Sequence, residues 1–409
     1  MQWLKEIPSH WEVRKMKYCF SERSEKNHPD EPILCATQSQ GVIPQSMYAN
    51  RVVVVNKGFE GLKLVKKGDF VISLRSFEGG IEYAYYQGII SAAYTILQPN
   101  KDSFSNYWKV LFKSHSFIQL LQTCVTGIRE GQNINYSMLC RAFLPLPPLA
   151  EQEKIVSYLE NKTSKIDAYV ADKEKEIELL QELKQKTIAD AVTKGLNPDA
   201  KMKDSKTSLF GQIPFHWEER KMKYCFSERS EKNHPEEPIL CATQSQGVIP
   251  QSMYQNRVVV VNKGFEGLKF VKAGDFVISL RSFEGGIEYA YYQGIISAAY
   301  TILTPLNANN TDYFKFLFKS YPFIQVLQTC VTGIREGQNI NYQMLGRNFL
   351  PLPPLNEQQA IVAYIEEKCE KIDKLVSELQ SEIDYLKEYK QRLIADCVTG
   401  QVNVQNEMI

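Results

Sequence analysis

The chain has 409 residues, enough for two or three domains, and its 44% apolar and 23% charged content is ordinary for a soluble globular protein. No apolar run is long enough to span a membrane, and the opening MQWLKEIPSHW lacks the apolar middle of a signal peptide, so we expect a cytoplasmic protein with no membrane partner. The formal net charge of +1 does not by itself indicate a polyanionic partner.

The whole chain is a tandem duplication with a period of 206 residues. Arg14 recurs as Arg220 and Gly127 as Gly333, and only six positions between 13 and 99 differ from their partners. These six pairs are Val13/Glu219, Asp30/Glu236, Ala49/Gln255, Leu64/Phe270, Lys67/Ala273 and Gln98/Thr304. Each structural feature of one copy is therefore expected twice.

Each copy begins with a segment whose pattern predicts an α+β globule. In chain order, RVVVVNKG and GDFVISLRS predict strands, and IEYAYYQGIISAAYTIL predicts two strands around Gly88 or Gly294. NYWKVLFKSHSFIQLLQTC then has helical spacing, and a Gly-rich polar stretch, VTGIREGQNINY, leads into FLPLPPL.

Each globule is followed by a long predicted helix, one from near Glu151 to Gly195 and one from near Glu357 to the end of the chain. Apolar residues recur every seventh position along two rows, the pattern of a coiled coil, and each helix would span roughly 60 Å. The rows of the second helix are Ile365, Ile372, Leu379, Leu386 and Leu393, and Cys369, Val376, Ile383, Lys390 and Cys397. Those of the first are Leu159, Ile166 and Leu180, and Val170, Ile177 and Ala191, interrupted by Lys173, Lys184 and Thr187.

The polar, turn-rich segment 195–212 is expected to link the two copies. If the helices were parallel, this segment would have to return nearly 60 Å, close to the limit of an extended chain. Antiparallel helices remove that demand. We therefore expect two globules related by a pseudo-two-fold axis and separated by an antiparallel coiled coil of two helices. The expected boundaries are 1–148 for the first globule, 149–195 for the central helix, 196–206 for the linker, 207–354 for the second globule and 355–400 for the C-terminal helix.

Charge is unevenly distributed along the chain. Residues 13–144 hold 16 Lys and Arg against 10 Asp and Glu, and residues 219–350 hold 14 against 11. The helices reverse this balance, with 8 against 10 in 150–195 and 6 against 10 in 356–399. Basic globules indicate a polyanionic partner, whereas acidic helices favour a protein partner or each other.

The sequence contains no recognisable catalytic motif. It lacks a phosphate-binding G-x-x-x-x-G-K-[ST] loop, a G-x-G-x-x-G turn, an H-E-x-x-H pair and an Asn-Pro-Pro-Tyr motif. Six of its nine cysteines are three positions used twice, and no C-x-x-C pair occurs, so buried reduced thiols are expected. We expect no catalysis, no cofactor and no metal site.

Polar side chains next to glycines in the globules suit the reading of DNA bases. Arg can form two hydrogen bonds to guanine, Gln and Asn can do so to adenine, Glu can accept from cytosine, and Lys can hold phosphates. The alternative is that these are turns made polar by solvent. The candidates in the first globule are Gln38, Ser39, Gln40, Lys57, Lys63, Arg75, Ser76, Glu78, Arg129, Gln132 and Asn133. Their repeat partners are Gln244, Ser245, Gln246, Lys263, Lys269, Arg281, Ser282, Glu284, Arg335, Gln338 and Asn339.

Over its full length the chain resembles the specificity (S, HsdS) subunits of type I restriction-modification systems. The resemblance is carried by FLPLPPLAEQ and FLPLPPLNEQ at the helix starts, by GDFVISLRSFEGGIEYAYYQGIISAAYTIL followed by GIREGQNIN, and by KMKDSKTSLFGQIPFHW between the copies. It implies two target recognition domains that each read half of a split sequence in double-stranded DNA. It also implies a subunit that does no catalysis, binds two adenine-N6 methyltransferase subunits on its helices and joins two restriction subunits.

This chain departs from the family in one respect, because its two domains are near-copies and the family's usually differ. Across a pseudo-dyad, near-identical domains should read near-identical half-sites on opposite strands, so a nearly palindromic, interrupted target is expected. Two alternatives stay open: a stand-alone, dimer-like DNA-binding regulator without enzyme partners, and a coiled-coil adaptor with no nucleic-acid role.

Overall fold

The computed structural model describes residues 3–4, 6–48, 58–100, 104–127, 133–254, 264–306, 311–333 and 339–405. The chain divides into two compact units, one made of Met1–Glu174 with Gln380–Ile409 and the other of Lys175–Leu379. Each unit thus combines one globule, the start of the helix that follows it, and the end of the other copy's helix. The repeat unit of the sequence is not the compact unit of the fold.

The first globule is built from short strands and helices. Its strands are β1 Glu12–Lys15, β2 Phe20–Arg23, β3 Leu34–Thr37, β4 Gly41–Pro44, β5 Lys63–Val65, β6 Phe70–Ile72, β7 Glu82–Tyr83, β8 Gly88–Ile90, β9 Thr95–Pro99, β10 Val125–Thr126, β11 Asn133–Ile134 and β12 Phe143–Leu146. Its helices are α1 Met16–Cys19, α2 Ser76–Gly79, α3 Ser105–Lys113, α4 His115–Thr123 and α5 Tyr136–Leu139.

A four-stranded antiparallel sheet in the order β2-β9-β6-β7 forms the centre of this globule. The strand pairs β1–β12, β3–β4, β5–β8 and β10–β11 surround it. Phe20 and Phe70 of the sheet pack edge to face, and Trp108 and Phe112 of α3 close over them. Each buried aromatic side chain contributes about 1.5–3 kcal/mol through removal of its apolar surface from water.

The second globule repeats this construction. After the first long helix, α6 Leu149–Lys194, its strands are β13 Met202–Asp204, β14 Gln212–Pro214, β15 Glu218–Lys221, β16 Phe226–Arg229, β17 Leu240–Thr243, β18 Gly247–Pro250, β19 Lys269–Val271, β20 Phe276–Ile278, β21 Glu288–Tyr289, β22 Gly294–Ile296, β23 Thr301–Pro305, β24 Val331–Thr332, β25 Asn339–Ile340 and β26 Phe349–Leu352. Its helices are α7 Ser282–Gly285, α8 Thr311–Lys319, α9 Tyr321–Thr329 and α10 Tyr342–Leu345, and the chain continues into the second long helix, α11 Leu355–Val398.

Three local expectations are modified by the structure. The segment predicted as two strands around Gly88 forms three, β7, β8 and β9. The helical segment after it is broken at Ser114, which is extended (φ −68°, ψ 143°) and caps α4 by accepting a hydrogen bond from the amide of Phe117. The expected linker contains a strand, β13, which pairs with β14 at the start of the second globule. Lys203 of β13 also donates to the carbonyl oxygen of Trp217 over 2.6 Å. The predicted strand RVVVVNKG falls almost entirely outside the described residues in both copies.

The expected antiparallel helix pair is confirmed within each unit. In the first unit Lys390 of α11 binds Asp167 of α6 over 2.5 Å, and in the second Lys184 of α6 binds Asp373 of α11 over 2.6 Å. Because 184 and 390 are repeat partners, as are 167 and 373, the same ion pair is formed in both units with the helices exchanged. Lys184 and Lys390, which interrupt the apolar rows, therefore have partners on the facing helix.

The C-terminal end of each long helix is buried in the globule of the other copy. The hydroxyl of Tyr313, on α8, lies 3.0 Å from the carbonyl oxygen of Val192 at the end of α6 and 3.1 Å from that of Pro351. In the first unit Tyr107 makes the same contacts, over 3.0 Å to Val398 at the end of α11 and 3.2 Å to Pro145. The last carbonyls of a helix have no partner within the helix, so these hydroxyls satisfy groups that would otherwise be buried without one.

Both helices end at a glycine in the left-handed region, Gly195 (φ +73°) and Gly400 (φ +76°). A Cβ at residue 400 would lie 2.3 Å from Cδ of Pro8, so a side chain would displace the chain that enters the first globule. In the described ranges, none of the helices combines the length and apolar character needed to cross a membrane.

We expect Tyr313→Phe to lower the free energy of unfolding by about 1–2 kcal/mol, because a buried helix-end carbonyl loses its donor. Urea unfolding followed by circular dichroism measures the change. Tyr385, which is 72% exposed on α11, provides the control, since Tyr385→Phe should alter stability by less than about 0.5 kcal/mol. Equal effects of the two variants would show that the Tyr313 hydrogen bond does not hold the helix end.

Candidate nucleic-acid interface

The Gln38–Gln40 turn connects β3 to β4 and presents three exposed side chains, those of Gln38, Ser39 and Gln40. Thr37 closes the turn, because its hydroxyl donates to the carbonyl oxygen of Gly41 over 2.9 Å and accepts from the amide of Gln40 over 3.0 Å. Gly41 has a φ of +73°, and a Cβ there would lie 2.6 Å from the carbonyl oxygen of Tyr83. Glycine is therefore required at the base of the turn.

The Arg75–Gly80 loop lies at the end of β6 and contains the one-turn helix α2. Ser76 is buried and accepts a hydrogen bond from the amide of Ser73 over 2.9 Å, whereas Arg75 and Glu78 are exposed. A Cβ at Gly80 (φ +85°) would lie 2.2 Å from the carbonyl oxygen of Phe112, so the loop is pressed against the end of α3. This packing fixes the backbone from which Arg75 and Glu78 project.

A single lysine joins the turn to the loop. Nζ of Lys113 donates to the carbonyl oxygen of Gln38 over 3.1 Å, to that of Gly79 over 2.8 Å and to Oε1 of Glu82 over 2.6 Å. Lys319 does the same in the second unit, over 3.2 Å to Gln244, 2.9 Å to Gly285 and 2.5 Å to Glu288. The structure thus brings together two of the predicted sets, which lie about 40 residues apart in sequence and share one ammonium group.

The carboxylates under these lysines carry an electrostatic cost. Burial raises the pKa of Glu82, and although the charge of Lys113 opposes this shift, it does not cancel it. In the second unit burial raises the pKa of Glu288 from 4.5 to about 7, again against the charge of Lys319. The second carboxylate oxygen of each residue is buried and has no hydrogen-bond partner in the described part of the chain. These glutamates are retained at a cost in stability, which is consistent with a role in holding the lysine.

A third predicted set lies only partly within the described residues. Asn133 and Asn339 are exposed in the hairpins β10–β11 and β24–β25. Nε2 of Gln328, at the end of α9, donates to the carbonyl oxygen of Phe283 over 3.3 Å, so the hairpin that follows α9 starts beside the Arg281–Gly286 loop. The candidates that lie outside the described residues are Lys57, Arg129, Gln132, Lys263, Arg335 and Gln338.

The remaining candidates have identified internal roles. Nζ of Lys63 donates to the carbonyl oxygen of Tyr94, and that of Lys269 to Tyr300, each over 2.8 Å. Ser282 is buried and caps its loop as Ser76 does. In the second unit the counterparts Gln244, Ser245, Gln246, Arg281 and Glu284 are exposed. A DNA contact by any of these residues remains a prediction.

Sequence reasoning missed a group of aromatic residues beside the Gln38–Gln40 turn. Nζ of Lys109 lies 3.8 Å from the ring centroid of Tyr83 and 4.9 Å from that of Tyr85, and the rings of Tyr83 and Tyr85 pack edge to face. Tyr85 and its neighbour Tyr86 are 44% and 41% exposed. The tyrosines of IEYAYY indicated only a strand, although exposed aromatics next to lysines are also typical of nucleic-acid interfaces.

In the described residues, no group of three or more His, Cys, Asp and Glu side chains is placed so that it could hold a metal ion. All nine cysteines are free thiols, and eight of them are buried.

Comparison with known proteins places these features in a family. The family model for the type I restriction modification DNA specificity domain matches residues 7–179, which hold the first globule and more than half of α6. A protein of Methanocaldococcus jannaschii named as the type I restriction enzyme MjaX specificity subunit is 26% identical, over 98% of this chain and 95% of that protein. The type I restriction enzyme EcoKI specificity subunit of Escherichia coli is 21% identical, over 76% of this chain and 68% of that protein.

Residues 7–179 match the DNA specificity domain of type I restriction-modification systems, and the chain is similar over nearly its whole length to a type I specificity subunit. The resemblance found in the sequence is thereby confirmed. Two solved structures share the fold of this chain at 16% identity. One, from a study of complex assembly and conformational transition of the type I R-M system, covers 97% of this chain and 100% of its own with a TM-score of 0.69. The other, the HsdS subunit from Thermoanaerobacter tengcongensis, covers 97% and 99% with a TM-score of 0.53.

The raised pKa of Glu288 predicts a pH dependence of stability. The folded subunit holds this proton more tightly than the unfolded chain, so the stabilisation is complete below pH 4.5 and is lost as the pH rises to about 7. Glu288→Gln cannot ionise and should flatten this part of the curve of unfolding free energy against pH. Urea unfolding from pH 4.5 to 8 checks this, and an unchanged slope in the variant would contradict it.

Proposed function

We propose that this specificity subunit reads a bipartite, nearly palindromic DNA sequence and positions methyltransferase and restriction subunits on it. The observation that carries the proposal is the pair of polar turns joined by Lys113, built again with the same residues around Lys319. Because the same polar surface is present twice, it suits a DNA target in which the same half-site is present twice. The basic balance of both globules fits a polyanion such as double-stranded DNA.

Base reading in this proposal is done by exposed side chains on the joined turns. Arg75 and Arg281 can each form two hydrogen bonds to a guanine, and Gln38, Gln40 and their partners can do so to adenine. Their backbones are fixed by the lysine and by close glycine contacts, so little freedom is lost when DNA binds. Side chains that project from a fixed backbone favour specificity over general affinity for phosphate.

The palindromic character of the proposed target follows from the repeat. The described reading residues are identical in the two copies, so the two half-sites should be nearly identical. Across the pseudo-two-fold axis expected from the sequence, these half-sites would lie on opposite strands. The length of the helices would set the spacer between the half-sites.

The long helices are the proposed docking surface for two adenine-N6 methyltransferase subunits, which two restriction subunits would join. Large apolar side chains are exposed along α6 and α11, where the helix pair does not use them. They include Leu179, Leu183, Leu375, Tyr385 and Tyr389, each 48–72% exposed. The solved relative of this fold from the study of type I R-M complex assembly supports a role in such an assembly.

Mapping of methylated adenines in cells that express this subunit with its methyltransferase tests the proposal. We expect one interrupted motif whose two halves are inverted copies of each other, or nearly so. Cells that express the methyltransferase alone provide the control and should lack this motif.

Two unrelated half-sites would contradict the palindromic target, and no subunit-dependent methylation would contradict the specificity role. The stand-alone regulator predicts instead tight DNA binding without co-purification of a methyltransferase. A coiled-coil adaptor predicts no salt-dependent DNA affinity.

A further inference from the structure

The two near-identical globules differ in charge at one place beside the proposed reading turns, which are the Gln38–Gln40 turn and the Arg75–Gly80 loop with their counterparts in the second globule. We call it the tyrosine-lysine patch: Lys67, Tyr83, Tyr85, Asn106 and Lys109 in the first globule. The corresponding residues of the second globule are Ala273, Tyr289, Tyr291, Asp312 and Lys315.

The geometry of the patch is the same in both globules. Lys109 lies 3.8 and 4.9 Å from the ring centroids of Tyr83 and Tyr85, and Lys315 lies 3.9 and 5.2 Å from those of Tyr289 and Tyr291. Only the charges around this common geometry have changed, so the two patches can be compared directly.

The patch borders the turn that presents Gln38, Ser39 and Gln40. A Cβ at Gly41, the residue after the turn, would lie 2.9 Å from Cε2 of Tyr85. A Cβ at Gly247 would lie at the same distance from Cε2 of Tyr291. Lys67 belongs to the tight turn before β6, where the amide of Gly68 donates to the carbonyl oxygen of Ala84 over 3.0 Å. Lys67 is exposed, and it is therefore adjacent to the segment that holds Tyr83, the last residue of β7, and Tyr85. A ligand held at the Gln38–Gln40 turn would lie beside these charges.

The charge of the patch is +2 in the first globule and zero in the second. Lys67 and Lys109 supply the two positive charges, and the part of the chain that the structure describes gives Lys109 no ion pair. In the second globule alanine replaces the first lysine, and Oδ1 of Asp312 lies 2.6 Å from Nζ of Lys315.

The ammonium groups respond to these surroundings. Burial lowers the pKa of Lys109; Glu160 opposes this shift and the neighbouring charge of Lys67 adds to it. Burial also acts to lower the pKa of Lys315, but the hydrogen bond and charge of Asp312 outweigh it, so this pKa is raised. Glu160 acts on Lys109 without forming an ion pair with it in the described residues, so both ammonium groups can still pair with an anion.

We propose that the tyrosine-lysine patch of the first globule holds a DNA phosphate that the second globule does not hold. The two nearly identical half-sites are then gripped unequally, with the first globule contributing more of the affinity. This inference rests on the proposed function, since it requires DNA at the reading turns. Base preference is unaffected, because a phosphate contact carries no sequence information.

The repeat provides matched variants that exchange the two patches. Lys67→Ala with Asn106→Asp gives the first globule the charges of the second, and Ala273→Lys with Asp312→Asn does the reverse. The ligand is an unmethylated DNA duplex that carries the motif found by methylation mapping. Its affinity for the full chain in complex with the methyltransferase is measured by fluorescence anisotropy between 50 and 200 mM salt.

The first pair should weaken binding several-fold at low salt and reduce the slope of log K against log salt by about 1, since the slope changes by roughly 0.9 per phosphate contact. The second pair should tighten binding and increase the slope by a similar amount. Asp30→Glu gives the first globule the residue that the second has at position 236 without altering charge, and it should change neither quantity.

Arg75→Ala separates this proposal from the proposed function. If it weakens specific binding while both patch exchanges leave affinity and slope unchanged, the phosphate contact is wrong and the reading turns stand. If the wild-type complex shows no preference for the duplex, both proposals fail.

Discussion

The rest of the structure depends on the burial of each long helix's C-terminal end in the globule of the other repeat. The last carbonyls of a helix need donors, and Tyr313 and Tyr107 supply them from inside the aromatic cores. Neither globule with its own helix reproduces the compact unit, because the end of the other helix completes it. Tandem duplication provides both parts in one chain, and the antiparallel direction of the helices follows from this exchange.

The proposed reading surface would obtain its specificity at a cost in stability. Lys113 and Lys319 satisfy carbonyls from two separate turns, but each requires a buried glutamate whose pKa burial raises. An apolar residue at these positions would avoid the cost of the buried carboxylate and would leave the turns unjoined. The exposed Gln, Arg and Glu side chains thereby project from fixed backbones, and the difference Lys67/Ala273 leaves that frame unaltered.

Much of the architecture could be predicted from the sequence, since the 206-residue period and the seven-residue apolar rows are independent of tertiary detail. The antiparallel direction followed from the length of the connecting segment. Side-chain roles were less accessible. Ser76 and Lys63 look like polar loop residues, but one caps a turn inside the globule and the other binds the carbonyl of Tyr94. The role of Lys113 could not be inferred, because its partners Gln38 and Glu82 are distant in sequence and the helical pattern places it only on α3. Lys184 interrupts an apolar row of α6 because it pairs with Asp373 on α11, and the sequence did not show this partner.

The direction of the helix pair is tested most directly by charge exchange at Lys184 and Asp373, with stability measured by urea unfolding. We expect Lys184→Asp to destabilise the protein by roughly 0.2–1 kcal/mol, since it faces Asp373, and the added Asp373→Lys to restore most of the loss. Helices running in the same direction would place residue 184 beside its repeat partner Lys390. In that case Lys184→Asp alone would stabilise the protein and Asp373→Lys would restore nothing, which would contradict the account.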